Sequence, residues 1–116
     1  MNPEDFILGI KAAVVEDNIC IYKNLLSSTS IKDVTDDYWK QSLTFFNSLN
    51  AEQQQALFEI IKQTIIDTTS NILGIIDGVS IIEGATDDFS LTYGKDKIPL
   101  SGDLQSLFLA ETEKTS

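Results

Sequence analysis

Carboxylates are the only plentiful reactive groups in this chain, which carries eighteen Asp and Glu against eight Lys and has neither Arg nor His. The missing types narrow the chemistry more than any motif does. Without His there is no ordinary general base near neutrality, no Ser-His or Cys-His nucleophile and no imidazole metal ligand. Without Arg there is no bidentate fork for phosphate and no arginine finger. Carboxylates can still hold a hard cation, and Asp33, Asp36 and Asp37 cluster, as do Asp87 and Asp88. Neither cluster fits a calcium-binding loop. In the window from Asp77 to Asp88 the sixth position is Ile82, where the sharp turn requires Gly. A di-iron bundle would need Glu-x-x-His pairs, which this composition forbids. Adjacent aspartates at the start of a helix are explained by capping and by the helix dipole. No metal and no cofactor are expected. Carboxylate pairs distant in sequence could meet for acid–base work, but the sequence offers no reason to choose one.

Weaker matches end the same way. Tyr93 and Lys97 have the Tyr-x-x-x-Lys spacing that some reductases use, but here it spans a strand and a turn, and no G-x-G-x-x-G is present. Ser30 beside Lys32 lies in a loop with no desolvated pocket to activate a hydroxyl. The lysines are scattered and no Gly-rich loop exists, so neither nucleic acid nor phosphate is an expected ligand. Cys20 is the only cysteine and sits in the apolar run Ile19-Cys20-Ile21-Tyr22, which reads as a buried structural thiol. The chain therefore has no catalytic signature.

What remains is an aromatic segment, Asp36-Asp37-Tyr38-Trp39, followed by Phe45-Phe46 two turns later. On a helix, Trp39, Leu43 and Phe46 form one line, and Tyr38, Phe45 and Leu49 form another displaced by one residue. One line must face the core. The other is either buried in a helix sandwiched between layers, which is the plainer reading, or exposed beside the acids. Aromatic anchors with flanking charge are the composition of an interface centre. If exposed, Asp36, Asp37, Tyr38 and Phe45 are the candidate partner-binding residues.

The elements that must position these residues follow from periodicity and caps. Asn2 as N-cap and Pro3 at the first helical position start a helix. Two adjacent stripes make a wide apolar face: Ile7, Ile10, Val14, Ile21 and Leu25, beside Leu8, Val15, Ile19, Tyr22 and Leu26. Glu16-Asp17-Asn18 is where that helix could break, and the polar run Ser27-Ser28-Thr29-Ser30 ends it. A second helix starts after Asp33 or Thr35 and runs to about Leu49. Asn50 with Gln53 is a capping box for a third helix, from Ala51 to about Asp77, stopped by Gly78. Its apolar positions include Leu57, Phe58, Ile61, Ile65, Ile72, Leu73 and Ile76, and its polar line is Glu59, Gln63, Asp67 and Ser70. Val79 to Ile82 is short, β-branched and apolar, and Phe89 to Tyr93 reads as a strand, with Ile98-Pro99-Leu100 returning at an edge. A short helix after Asp103 turns Leu104, Leu107 and Phe108 inward, and residues 111–116 are expected to fray. The fold class is α+β, mainly α: three helices packed around a long central helix, a small C-terminal β-hairpin and a short closing helix.

At 116 residues the chain is expected to be one domain, and an apolar fraction of 42% argues for a folded one. No apolar run has the length of a membrane span and the N-terminus lacks a basic leader, so a soluble, cytoplasmic protein without a membrane partner is expected. A net charge of −10 repels nucleic acid and anionic membranes. It suits either a basic protein partner or solubility alone.

The C-terminal strings Asn71-Ile72-Leu73-Gly74-Ile75-Ile76-Asp77-Gly78, Phe89-Ser90-Leu91-Thr92-Tyr93 and Leu100-Ser101-Gly102-Asp103-Leu104-Gln105-Ser106-Leu107-Phe108 resemble a pattern of small uncharacterised bacterial proteins. Some small acidic proteins of this kind act as immunity proteins against toxins. The resemblance covers about the last 45 residues, its matching positions look structural, and it carries no catalytic residue. It implies a bacterial accessory protein and nothing sharper. The net charge of −10 and the missing catalytic inventory are what point to a non-enzymatic binding module, such as an immunity protein, acting on a basic partner. The alternative is a structural or homodimeric module whose acidic surface only keeps it soluble.

Overall fold

The computed structural model describes residues 1–114. The chain starts as helix α1, Pro3–Ile10, with the Asn2 side chain accepting the Asp5 N–H at 2.7 Å and Pro3 in the first turn. Expecting a break at Glu16-Asp17-Asn18 was incorrect, because the chain stays helical there. The departure lies one turn earlier, as a π-helical segment, Lys11–Glu16, that leads directly into α2, Asp17–Ser28. The Asp17 N–H reaches back five residues to the Ala12 carbonyl, and Asn18 Nδ2 donates to the Val14 carbonyl at 2.7 Å.

That extra residue settles which apolar stripe is buried. A π-turn rotates everything after it by about one residue position, roughly 100°. Before it, the stripe of Ile7 faces inward and Leu8 lies out, half exposed. After it, the neighbouring stripe takes over. Val15 and Leu26 are buried, Ile19 and Tyr22 partly so, and Ile21 is half exposed. The same rotation carries Cys20 outward, so the expectation of a buried thiol is corrected.

A single 3-10 turn, Ile31–Asp33, leads to α3, Asp37–Asn47, which starts at the later of the two expected positions and ends short of Leu49. The central helix α4 spans Ala51–Ile76, with both halves of the Asn50–Gln53 capping box formed. Gly78 ends it at φ 81°, where the Val79 N–H returns to the Gly74 carbonyl. Two of its predicted positions are reversed: Ile72 is exposed and Ser70 is buried. The cause is the closing helix α5, Leu104–Glu113, which covers the Ser70 side of α4 and leaves the Ile72 side bare.

The hairpin is smaller than expected. Among the described residues only β1, Thr92–Tyr93, and β2, Ile98–Pro99, pair, antiparallel, with Thr92 opposite Pro99 and Tyr93 opposite Ile98. Phe89, Ser90 and Leu91 lie outside it, and among the described residues no further strand joins the sheet. Leu104 and Phe108 are fully buried, as their spacing requires. Of the tail expected to fray, residues 111–113 lie in α5, with Thr112 buried, and residues 115 and 116 lie outside the described part.

The first 26 helical residues run antiparallel to α4, and two cores form at opposite ends of that pair. One joins Ile7 and Val15 to Ile66, Leu73, Leu104 and Phe108. The other joins Leu26 to Leu43, Phe46 and Phe58. Helix α5 completes the first core and α3 the second. The result is elongated, 51 × 33 × 25 Å, with a radius of gyration of 17.9 Å. A compact chain of this length would have about 13 Å.

Candidate partner-binding face on helix α3

Helix α3 forms where it does because Asp36 caps it: one carboxylate oxygen accepts the Trp39 N–H at 3.2 Å, and Asp37 follows in the first turn. Of its two apolar lines, Leu43 and Phe46 are buried and Trp39 is half-buried against the α2–α4 core. The sandwiched reading is therefore overturned for the second line. Tyr38 is 62% exposed and Phe45 55%. The reason is elongation. The second core has helices on only one side of α3, so only one of its faces can be covered.

Tyr38 and Phe45 border a groove of about 220 Å³ between α2, α3 and α4, floored by Tyr22, Leu26, Leu57 and Ile61. The Trp39 ring organises it. Tyr38 meets it edge-on at 5.2 Å between centroids, and Tyr22 packs obliquely at 6.1 Å. The carboxylates are placed differently. Asp36 lines a separate cleft on the other side of Trp39, with Asp33, Val34 and Leu43, and Asp37 stands exposed at the helix start. The structure thus brings Tyr38 and Phe45 to one groove and leaves the two aspartates at its upstream end, not in its walls.

The arrangement can bury an apolar side chain or a short helical turn and has no reactive group in its walls. Among the described residues, no three Asp, Glu or Cys side chains converge as a metal site requires. Among those residues, too, no helix is long and apolar enough to cross a membrane.

Two features of the C-terminal third were missed from sequence. The first is Asp77, read as the last helical residue of α4. It turns its carboxylate to α5, accepting the Gly102 N–H at 2.7 Å and the Gln105 N–H at 2.8 Å. The signal was an acid at the C-terminal end of a helix, where the dipole disfavours it. The second is the segment from Val79 to Phe89, read in part as strand, which displays Val79, Ile81, Ile82 and Phe89 to solvent. No family model, curated protein or solved structure matches the chain.

Proposed function

We propose that the protein is a non-enzymatic binding module whose acidic surface engages a basic protein, as an immunity protein does when it occludes a toxin. The observation that supports this reading is the exposed pair Tyr38 and Phe45 beside an apolar groove, on a chain of net charge −10. Its mechanism is occlusion. The aromatic pair supplies desolvated contact area, and the carboxylates, Asp36 and Asp37 nearest, steer the partner's cations and set the salt dependence. The test is affinity capture from a host lysate with the native chain, Asp36→Lys/Asp37→Lys and Tyr38→Ala/Phe45→Ala, each washed at low and high salt. The expected result is one basic protein retained at low salt. The aspartate variant should weaken retention and flatten its salt dependence, and the aromatic variant should weaken it at every salt concentration. Retention unchanged in both variants would remove this face from the interface.

A second reading, self-association, is favoured by one observation. The chain exposes 7977 Å², where a compact monomer of its mass would expose about 6,300 Å². The excess exceeds the roughly 800 Å² that each partner buries in a standard interface. A dimeric mass by light scattering that is unchanged by salt would favour this reading over the first.

A further inference from the structure

No Lys occurs between Lys62 and Lys95, while Asp67, Asp77, Glu83, Asp87 and Asp88 fall inside that interval. Within it, the loop after α4 exposes an unusual amount of apolar surface: Val79 is 67% exposed, Ile81 89% and Phe89 48%. Loops this long without secondary structure are commonly functional. This one is also shaped: the Val79 N–H is held by the Gly74 carbonyl at 2.9 Å, the Ala85 N–H by the Ile82 carbonyl at 3.2 Å, and Gly84 turns at φ 93°. Between the loop and the last turn of α4 lies an open cleft of about 230 Å³. Ile75, Ile81 and Ile82 line it together with the acids Asp87 and Asp88.

We propose that this cleft receives a Lys or Arg side chain of a basic partner protein, its aliphatic stem on the isoleucines and its cationic head against Asp87 and Asp88. Such a side chain is apolar along its stem and charged at its tip, and the cleft's lining contains both isoleucines and aspartates to meet it. A purely apolar side chain would strip water from two carboxylates and return nothing. A divalent cation would need more oxygen ligands than this adjacent pair supplies, and among the described residues no third acid or thiol joins them. An acidic or phosphorylated partner is repelled by the local charge. The inference rests on the reading that the partner is basic, but not on the α3 face.

The probe is a short acetylated and amidated peptide with one arginine between leucines, and its analogue with norleucine in place of the arginine. Each is titrated into the isotope-labelled native chain and followed by amide chemical shifts. The arginine peptide should perturb residues 75–89 saturably, and the norleucine analogue should bind about tenfold more weakly. Asp87→Asn/Asp88→Asn should abolish that difference while sparing the norleucine peptide, and Ile81→Ala should weaken both. These positions are exposed, so all variants should retain the native amide spectrum elsewhere. Equal binding of the two peptides overturns the proposal. Perturbation confined to residues 38–45 overturns the cleft and leaves the α3 face standing. Absence of any saturable perturbation overturns the cleft alone, because the capture experiment judges the α3 face independently.

Discussion

A side-chain contact between Gln105 and Ser70 helps hold the closing helix to the central one. Gln105 on α5 donates its side-chain amide to the Ser70 carbonyl at 3.0 Å and to the Ser70 hydroxyl at 3.2 Å. It can do so only because position 74 has no side chain, since a Cβ there would stand 2.7 Å from Gln105 Nε2. Glycine inside a helix costs about 1 kcal/mol relative to alanine. The close approach of the two helices offsets that cost through the contacts it permits. A coupling between the two positions follows. With Gln105→Ala in place, Gly74→Ala should stabilise the protein by about 1 kcal/mol in urea denaturation. In the native background the displaced amide should cancel that gain or reverse it. Equal effects in both backgrounds would show that Gln105 does not constrain position 74.

Among elements, the π-segment Lys11–Glu16 is the most consequential, because it decides which residues of α1 and α2 reach the two cores. Removing Ala13, which is exposed, should turn the segment into ordinary α-helix. Ile7 and Val15 would then be separated by the equivalent of two helical turns, and both would still face inward. The deletion should therefore stay folded, at a cost of no more than about 1.5 kcal/mol. Inserting an alanine beside Ala13 should rotate one of the two cores out of register by about 100° and lose several times as much. Thermal melts followed by circular dichroism would compare the two. A deletion as damaging as the insertion would show that the π-turn does more than set register. The same logic explains α3, where burial of one line and exposure of the other follow from its position at the end of the bundle.

For the whole molecule, charge repulsion is the dominant electrostatic fact. The ion pairs include Lys11 with Glu16 at 4.0 Å and Lys114 with Glu111 at 2.7 Å, set against a net charge of −10. The hydrogen bond from Lys114 holds the Glu111 carboxyl below its ordinary value, with both groups near the surface. With eighteen acids against eight Lys, repulsion outweighs attraction and added salt should stabilise the fold at pH 7. Raising salt from about 0.01 M to about 1 M shortens the screening length from about 30 Å to about 3 Å. The melting temperature should rise by several degrees, roughly the effect of 1 kcal/mol on a chain this size. A fall in melting temperature with sodium chloride would mean that attractive pairs govern stability. Elongation shares a cause with exposure of the candidate faces: two small cores at opposite ends of a helix pair leave more surface than one central core would.

The sequence by itself determined the helices and most of their starts, because those depend on neighbours within a turn: Asn2 and Pro3, the Asn50–Gln53 box and the Gly78 stop are all local chemistry, whereas the sequence allows two starts for α3 and the Asp36 cap seen in the structure decides between them. It determined the inward face of α5 for the same reason, through the spacing of Leu104 and Phe108. It also excluded histidine- and arginine-based chemistry outright, by composition. Tertiary structure alone decided which of two neighbouring stripes was buried on either side of the π-turn, and hence that Leu8, Cys20 and Ile21 face out. It alone decided that Tyr38 and Phe45 are exposed, that Ser70 is covered and Ile72 bare, and that Asp77 holds the first turn of α5 through Gln105, 28 residues away. Period and composition describe one element at a time, whereas burial depends on what packs against it. In an elongated fold with two cores each helix has neighbours on only part of its surface, so the same apolar pattern can mark a core face or an open one.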